Sequence, residues 1–233
     1  MKICAWNIRQ GGSTRIKNIV ETIFEHDADI VILTEFRIAK GNLIQSALLE
    51  KGWHYQITSN PEPKTNGIMI ASKLPFEYEE TIVPSVKQRW LEVKMKENGV
   101  TLLAVHVPTS GDKWDKRQFW GDVISFAEKR KNDMAIITGD FNTGLPEDAE
   151  GTPFVGSEYI TLLKQMGWVD AWRLINGDKK EYTWYSNVGN GFRLDYSFIT
   201  QDIAKKVSDV YHSHSEREMR YSDHSSLTVN FDD

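Results

Sequence analysis

In "ITGDFNT", residues 137–143, the carboxylate of Asp140 and the carboxamide of Asn142 stand one residue apart, just where an apolar run stops at Gly139. Taken alone, the pair reads equally as a turn, because Asp and Asn tolerate tight backbone geometry and bond their own backbone. The same kinds of group recur where other apolar runs begin or end. Asn7 follows "KICAW", Glu35 follows "DIVILT" and His106 follows "TLLAV", while Asp195 opens "DYSFIT" and Asp223 and His224 precede "SSLTVNF". Each has an ordinary structural reading: a turn former at Asn7, a surface acid at Glu35, a satisfied core histidine at His106. Taken together, these segments share one compatible chemistry.

Glu, Asp and Asn, with water, are hard oxygen ligands of the kind Mg²⁺ and Mn²⁺ prefer and zinc does not. A histidine beside an aspartate has its tautomer fixed and its protonated form favoured. A divalent cation, imidazoles and an acid that orients water are the components needed to hydrolyse a phosphate ester. The cation and imidazoles offset charge gathering on the phosphoryl oxygens, and the acid directs the nucleophile. The uncatalysed reaction is so slow that several such contributions must act together.

These residues need strands to carry them and helices to connect the strands. "KICAWNI" and "ADIVILTEF" have strand-like apolar density. Between them Ile16, Ile19, Val20, Ile23 and Phe24 fall at helical spacing, with Ser13 as the expected N-cap. "NLIQSALLEKGW" reads as a helix closed by Gly52. "HYQITS", "GIMIAS" and "RWLEVKMKENGVTLLAVHVP" read as strands, the last a hairpin turning at "ENG". The second half repeats the order: helical "DKRQFWGDVISFAEKRK", strand "DMAIITGDFN", helical "SEYITLLKQMGW", then strands "RLDYSFIT" and "HSSLTVNF". Val- and Ile-rich strands separated by helices predict two packed sheets with helices outside. No linker or low-complexity tract divides the 233 residues, which predicts one domain over 1–233.

Composition narrows the class. No stretch approaches the ~20 apolar residues of a membrane span, and the first residues read as a strand rather than a signal peptide. One cysteine, Cys4, excludes an intrachain disulfide framework and a cysteine-rich zinc site. The expectation is a cytoplasmic protein, acting as a monomer. The formal charge of −5 argues against a dedicated nucleic-acid binder. It leaves room for a small substrate, or for brief contact with a nucleic acid over one face.

The order Asn7, Glu35, His106-Val107-Pro108, Gly139-Asp140-Phe141-Asn142, Arg193-Leu194-Asp195-Tyr196, Ser222-Asp223-His224 resembles the endonuclease/exonuclease/phosphatase family across nearly the whole chain. "GDFN" and "SDH" are weak signals singly; in order with "RLDY" they are specific. "GWVDAWRL", "YTWY" and "GFRLDYSFIT" resemble the exonuclease III and abasic-site endonuclease branch. The resemblance implies a four-layer α/β sandwich of two packed mixed β-sheets flanked by helices.

It also implies roles. Glu35 would be the principal ligand of Mg²⁺ or Mn²⁺, with Asn7 and Asp223 in or beside its shell. Asp140 would orient or deprotonate the attacking water, and Asn142 would hold that carboxylate or the phosphate. His224 would contact the scissile phosphate with Asp195 as its orienting partner, and Arg193 would brace the strand. His106 departs from the abasic-endonuclease branch, which has tyrosine there; deoxyribonuclease I and the inositol-phosphatase branches have histidine. An imidazole at that point could protonate the leaving oxygen.

Trp184 and Phe192 fall where repair enzymes form an apolar pocket for a base-free sugar, with Leu194 alongside; core packing explains them equally well. Lys113, Lys116 and Arg117 follow His106 closely and either meet the phosphate backbone or form a solvated helix start. His212 and His214 are read as lying in a polar loop, either as mobile substrate contacts or without function. The expected activity is a nuclease, with DNA preferred to RNA as substrate. The alternatives are a phosphatase or phosphodiesterase for a small phosphoester, or a catalytically dead binding module.

Overall fold

The computed structural model describes residues 1–152 and 154–232. In chain order the strands are β1 (Lys2–Asn7), β2 (Ile30–Phe36), β3 (Tyr55–Thr58), β4 (Gly67–Ser72), β5 (Phe76–Tyr78), β6 (Trp90–Met95) and β7 (Thr101–His106). They continue with β8 (Ala135–Asp140), β9 (Val169–Asp170), β10 (Trp184–Tyr185), β11 (Gly191–Phe192), β12 (Asp195–Ile199), β13 (Val207–Ser213) and β14 (Ser226–Phe231). The main helices are α1 (Ile16–His26), α2 (Ile38–Glu50), α3 (Lys116–Arg130) and α4 (Ser157–Gln165).

Two six-stranded mixed sheets form the inner layers, ordered β13-β14-β1-β2-β4-β3 and β5-β6-β7-β8-β12-β9. Each contains one parallel pair, β1 with β2 and β7 with β8, flanked by antiparallel neighbours. A parallel pair needs a crossover, and helices supply it here: α1 joins β1 to β2, and α3 lies between β7 and β8.

Alternation along the strands decides the layers. Ile3, Ala5, Ile30, Ile32, Ile68 and Ile70 face Val93, Leu102, Ala104 and Ile136 between the sheets. The opposite faces of the same strands meet helices. Trp6, Val31 and Leu33 pack with Ile19, Ile23, Ile44 and Leu48 of α1 and α2. Leu103, Val105 and Ile137 pack with Phe119, Trp120, Val123 and Leu163 of α3 and α4. Each large apolar side chain buried this way contributes about 1.5–3 kcal/mol. The result is the four-layer α/β sandwich expected from the sequence.

Two local expectations fail. Ser13 does not cap α1: it lies in a short 3₁₀ segment with φ 49°, and Arg15 occupies the cap position with no side-chain hydrogen bond. His212 is not in a loop but in β13, an edge strand paired with β14 in which Val210 and His212 are the buried positions. An edge strand covered on one side only needs little apolar content, so its sequence reads as polar.

Candidate active site

The two parallel pairs deliver the site. Asn7 ends β1, Glu35 lies near the end of β2, His106 ends β7 and Asp140 ends β8. These are the carboxyl ends of parallel strands, the usual place for α/β ligand sites. Register then adds a row: His106 pairs with Asp140 across β7 and β8, and Asp195 pairs with Asp140 across β12 and β8. Gly139 makes this geometry possible. Its φ is +136°, and a Cβ there would stand 2.1 Å from the Val105 carbonyl oxygen.

Asn7 ties the sheets together. Its Nδ2 donates to Asp140 Oδ2 at 2.8 Å and lies 3.4 Å from Glu35 Oε1, while its Oδ1 accepts from the Arg9 amide at 2.9 Å. Ser222 Oγ donates to the Asn7 carbonyl at 2.5 Å, which brings the Ser222-Asp223-His224 segment to the same place. Glu35 has φ 57° at a register shift in β2, and Asn142 has φ 44°. Left-handed backbone at non-glycine residues is strained and concentrates at functional sites. Hydrogen bonds hold both: the Gln10 amide donates to Glu35 Oε2 at 2.7 Å, and the Asn142 amide donates to Asp140 Oδ1 at 2.8 Å.

One oxygen, Asp140 Oδ2, lies at the middle. His106 Nε2 is 3.7 Å away and His224 Nε2 is 3.8 Å away, while His224 Nδ1 bonds Asp195 Oδ2 at 2.9 Å. Asp140, Asp195, His106 and His224 are all buried. Burial would lower the His224 pKa, but Asp195 and Asp140 outweigh it and raise it to about 10. His224 is therefore an imidazolium at neutral pH. Burial raises Asp140 to about 6, against the His224 charge and with the Asp195 charge. A base poised there is charged near pH 7 yet able to take a proton.

His106 is held differently from His224. Burial, with the Arg89 and His224 charges, holds its pKa well below 6.5. That direction favours the neutral imidazole. Its Nδ1 has no hydrogen-bond partner among the described residues.

For a cation, the fit differs between two groups. Asp140, Asp195 and His224 bring ligand atoms within 4.8 Å of one another. A protonated imidazole cannot ligate, however, so this group suits acid–base work better than holding a cation. Glu35, Asn7 and Asp223 offer hard oxygens instead. Glu35 and Asp223 are half-buried, which leaves access for water ligands, and Arg9 lies 3.7 Å from Asp223. That donor set fits a small hard divalent ion.

Sequence reasoning missed Arg89 and misplaced Lys116. Arg89, just before β6, is buried; its Nη1 is 3.1 Å from Asp112, and its Nε and Nη1 have no hydrogen-bond partner among the described residues. Burial lowers its pKa, opposed by Asp112, Asp140 and Glu35, the last two of them site residues. Nothing in "VKQRW" announces this. Lys116 was read, with Lys113 and Arg117, as meeting the phosphate backbone or forming a solvated helix start, but it is buried and donates to the Asn142 carbonyl at 2.6 Å. Burial lowers its pKa to about 8 despite Asp140, Glu158 and Asp112. Its signal was periodicity: Lys116 lies on the same helical stripe as Phe119, Trp120 and Val123. Lys113 and Arg117 are exposed, and the Lys113 ammonium lies 4.9 Å from the Trp114 ring.

Of the aromatic pair, Trp184 is half-buried and Phe192 is buried, with ring centroids 5.9 Å apart. Trp184 forms a backbone bridge with His224, and Thr183 Oγ1 accepts from the Leu194 and Asp195 amides at 3.0 and 3.3 Å. The β10–β11 hairpin thus pins the dyad. His212 and His214 lie behind it, each 3.2 Å from Glu181 Oε1, and His212 stacks on Trp172.

Residues 4–224 match the Endonuclease/Exonuclease/phosphatase family. A DNA-(apurinic or apyrimidinic site) endonuclease of Dictyostelium discoideum is 22% identical over 89% of this chain, and the chain spans 64% of that relative's length. An AP endonuclease from Archaeoglobus fulgidus has the same fold, with a TM-score of 0.86 at 21% identity over 100% of both chains. So does a 3′ phosphatase from Neisseria bound to a product DNA hairpin, with a TM-score of 0.85 at 20% identity over 100% of this chain and 99% of that one.

Proposed function

The chain belongs to the endonuclease/exonuclease/phosphatase family, and from that premise we propose that it is a Mg²⁺- or Mn²⁺-dependent phosphodiesterase acting on DNA, a nuclease in one domain over residues 1–233. The observation that carries this reading is the surroundings of Asp140 Oδ2: Asn7 at 2.8 Å, His106 at 3.7 Å and His224 at 3.8 Å. A carboxylate so placed takes a proton from water beside an imidazolium suited to a phosphoryl oxygen.

Each group then has a task. Glu35, Asn7 and Asp223 hold the divalent ion, which when bound offsets charge on the phosphate. Asp140, raised to about 6, orients the water and accepts its proton. Asp195 keeps His224 protonated, and His224 stabilises charge on the phosphoryl oxygens. Asn142 Nδ2 donates to the Val107 carbonyl at 2.9 Å and lies 3.4 Å from Asp140 Oδ2, which fixes the carboxylate's rotamer. His106 serves as a neutral hydrogen-bonding group. Arg89, whose Nε has no hydrogen-bond partner among the described residues, directs its guanidinium to the phosphate, and Lys113 and Arg117 meet the flanking backbone. DNA is the favoured polymer because the relatives named above are an abasic-site endonuclease and a phosphatase bound to DNA.

No helix among the described residues is long and apolar enough to cross a membrane; the reading is a cytoplasmic monomer. The second reading, a small phosphoester as substrate, draws on the net charge of −5. A substrate panel separates the two. Labelled single- and double-stranded DNA, an abasic duplex, RNA and bis(4-nitrophenyl) phosphate are incubated with Mg²⁺ or Mn²⁺, then with chelator. DNA cleavage lost on chelation is expected; cleavage of the small diester with every polymer intact would move the assignment to the second reading.

A further inference from the structure

A third ring stands against the Trp184–Phe192 pair. Phe154 packs edge-on to both, its centroid 4.9 Å from Phe192 at an interplanar angle of 71° and 6.1 Å from Trp184 at 67°. These distances are those of settled aromatic pairs. The Lys116 ammonium, which bonds the Asn142 carbonyl, lies 5.8 Å from the same ring. Phe154 therefore stands between the aromatic pair and the Asp140–Asn142 side of the site. The pair cannot move away from it, because Trp184 is bridged to His224 and Phe192 to Ala149. Glu150 adds a second tie: its amide donates to the Gly191 carbonyl at 2.9 Å, and its carboxylate accepts from the Gly191 amide at 2.8 Å.

An apolar recess beside a phosphate site is where a sugar turned out of its chain would be received. Without Phe154, the sides of the Trp184 and Phe192 rings that it covers would be uncovered, on a backbone bridged to His224. We propose that Phe154 is a specificity-determining residue that fills this recess, restricting the substrate to phosphodiesters whose flanking sugar stays in line with its chain, and disfavouring an extruded base-free sugar. The inference rests on the phosphodiesterase reading above. It adds the class of nucleotide that the same site accepts.

The test compares wild type, Phe154→Ala and Phe154→Leu on two substrates with Mn²⁺ present. One is a duplex with a single base-free sugar; the other is bis(4-nitrophenyl) phosphate, which needs no recess and serves as the reference for folded enzyme. The ratio of duplex incision to small-diester turnover is expected to rise on the order of tenfold in Phe154→Ala, the usual scale for reshaping an apolar pocket. A smaller rise is expected in Phe154→Leu, which leaves part of the recess filled. An unchanged ratio with small-diester turnover retained would overturn the inference alone, and a falling ratio would overturn it by making Phe154 a contact for the nucleic acid. No cleavage of either substrate by any of the three proteins would remove the phosphodiesterase reading and the inference with it.

Discussion

Two buried ionic clusters flank the start of β12, and they differ in how fully their charged groups are paired. Around Arg193, Nη1 and Nη2 donate to Asp170 at 3.1 and 2.7 Å and Nη2 donates to Asp148 at 2.6 Å, while Arg173 pairs with Asp148 and the Tyr196 hydroxyl donates to Asp148 at 3.2 Å. Trp172 and Tyr196 cover the guanidinium at 4.9 and 4.3 Å. Two residues along, the Asp195 cluster leaves His106 Nδ1 and Arg89 Nε without a hydrogen-bond partner among the described residues, where the first cluster leaves Arg193 Nε, and both imidazole Nε2 atoms stand beyond hydrogen-bond length from Asp140. A buried polar group left unmatched is unfavourable. The first cluster holds strands together; the second has the open hydrogen-bonding groups that the proposed phosphate would meet.

Substitutions should separate the two. The largest effect is expected at Asp140. Asp140→Asn should lower kcat on bis(4-nitrophenyl) phosphate by about 10³-fold, the scale of a lost general base. Its melting temperature should hold or rise, because a buried carboxylate is replaced by a neutral isostere. Comparable turnover by the variant would end the role given to Asp140. At Arg193 the reverse is expected. Arg193→Ala leaves Asp148 and Asp170 buried and short of their counter-charge, which should remove about 3–5 kcal/mol in urea unfolding. A loss under 1 kcal/mol would erase the contrast between the clusters.

Arg89→Met sharpens the comparison from inside the site. Hydrogen bonds to a charged partner are worth about 1.5–3 kcal/mol, so KM for the DNA substrate should rise about 10- to 100-fold. Stability should change far less than for Arg193→Ala; a large loss of stability with KM unaltered would move Arg89 into the structural group. The smallest effect lies at Glu181, behind the dyad. The His212 hydrogen bond, with Lys179 and against burial, depresses its pKa from 4.5 to about 2. A depressed carboxylate stabilises the fold above its unfolded pKa. The melting-temperature gap between wild type and Glu181→Gln should thus be full above about pH 4.5 and shrink as pH falls toward about 2. A gap independent of pH over that window would show that the ionised carboxylate contributes nothing.

Much of this organisation was legible in the chain. Strands followed from apolar density and turn signals and helices from period 3.6, and the residues placed at the site, Asn7 through His224, stood out because a polar group interrupted an apolar run. Lys116 was misjudged because charge was weighed above its place on the α3 stripe. Arg89 and Phe154 gave no local signal at all: an arginine before a strand and a phenylalanine in a loop acquire meaning only from what they face. His212 was read as loop because an edge strand is half wet and need not alternate cleanly.

Local composition determined that β1, β2, β7 and β8 would be strands ending in Asn7, Glu35, His106 and Asp140, since apolar density and polar stops are properties of neighbouring residues. Only tertiary structure decided that Asp140 Oδ2 would lie 2.8 Å from Asn7, a residue 133 positions away on the other sheet. It also decided that His224 would hold its proton to about 10 while His106 would not. Those outcomes depend on which charges burial brings together, and a charge's field acts through space without regard to sequence separation.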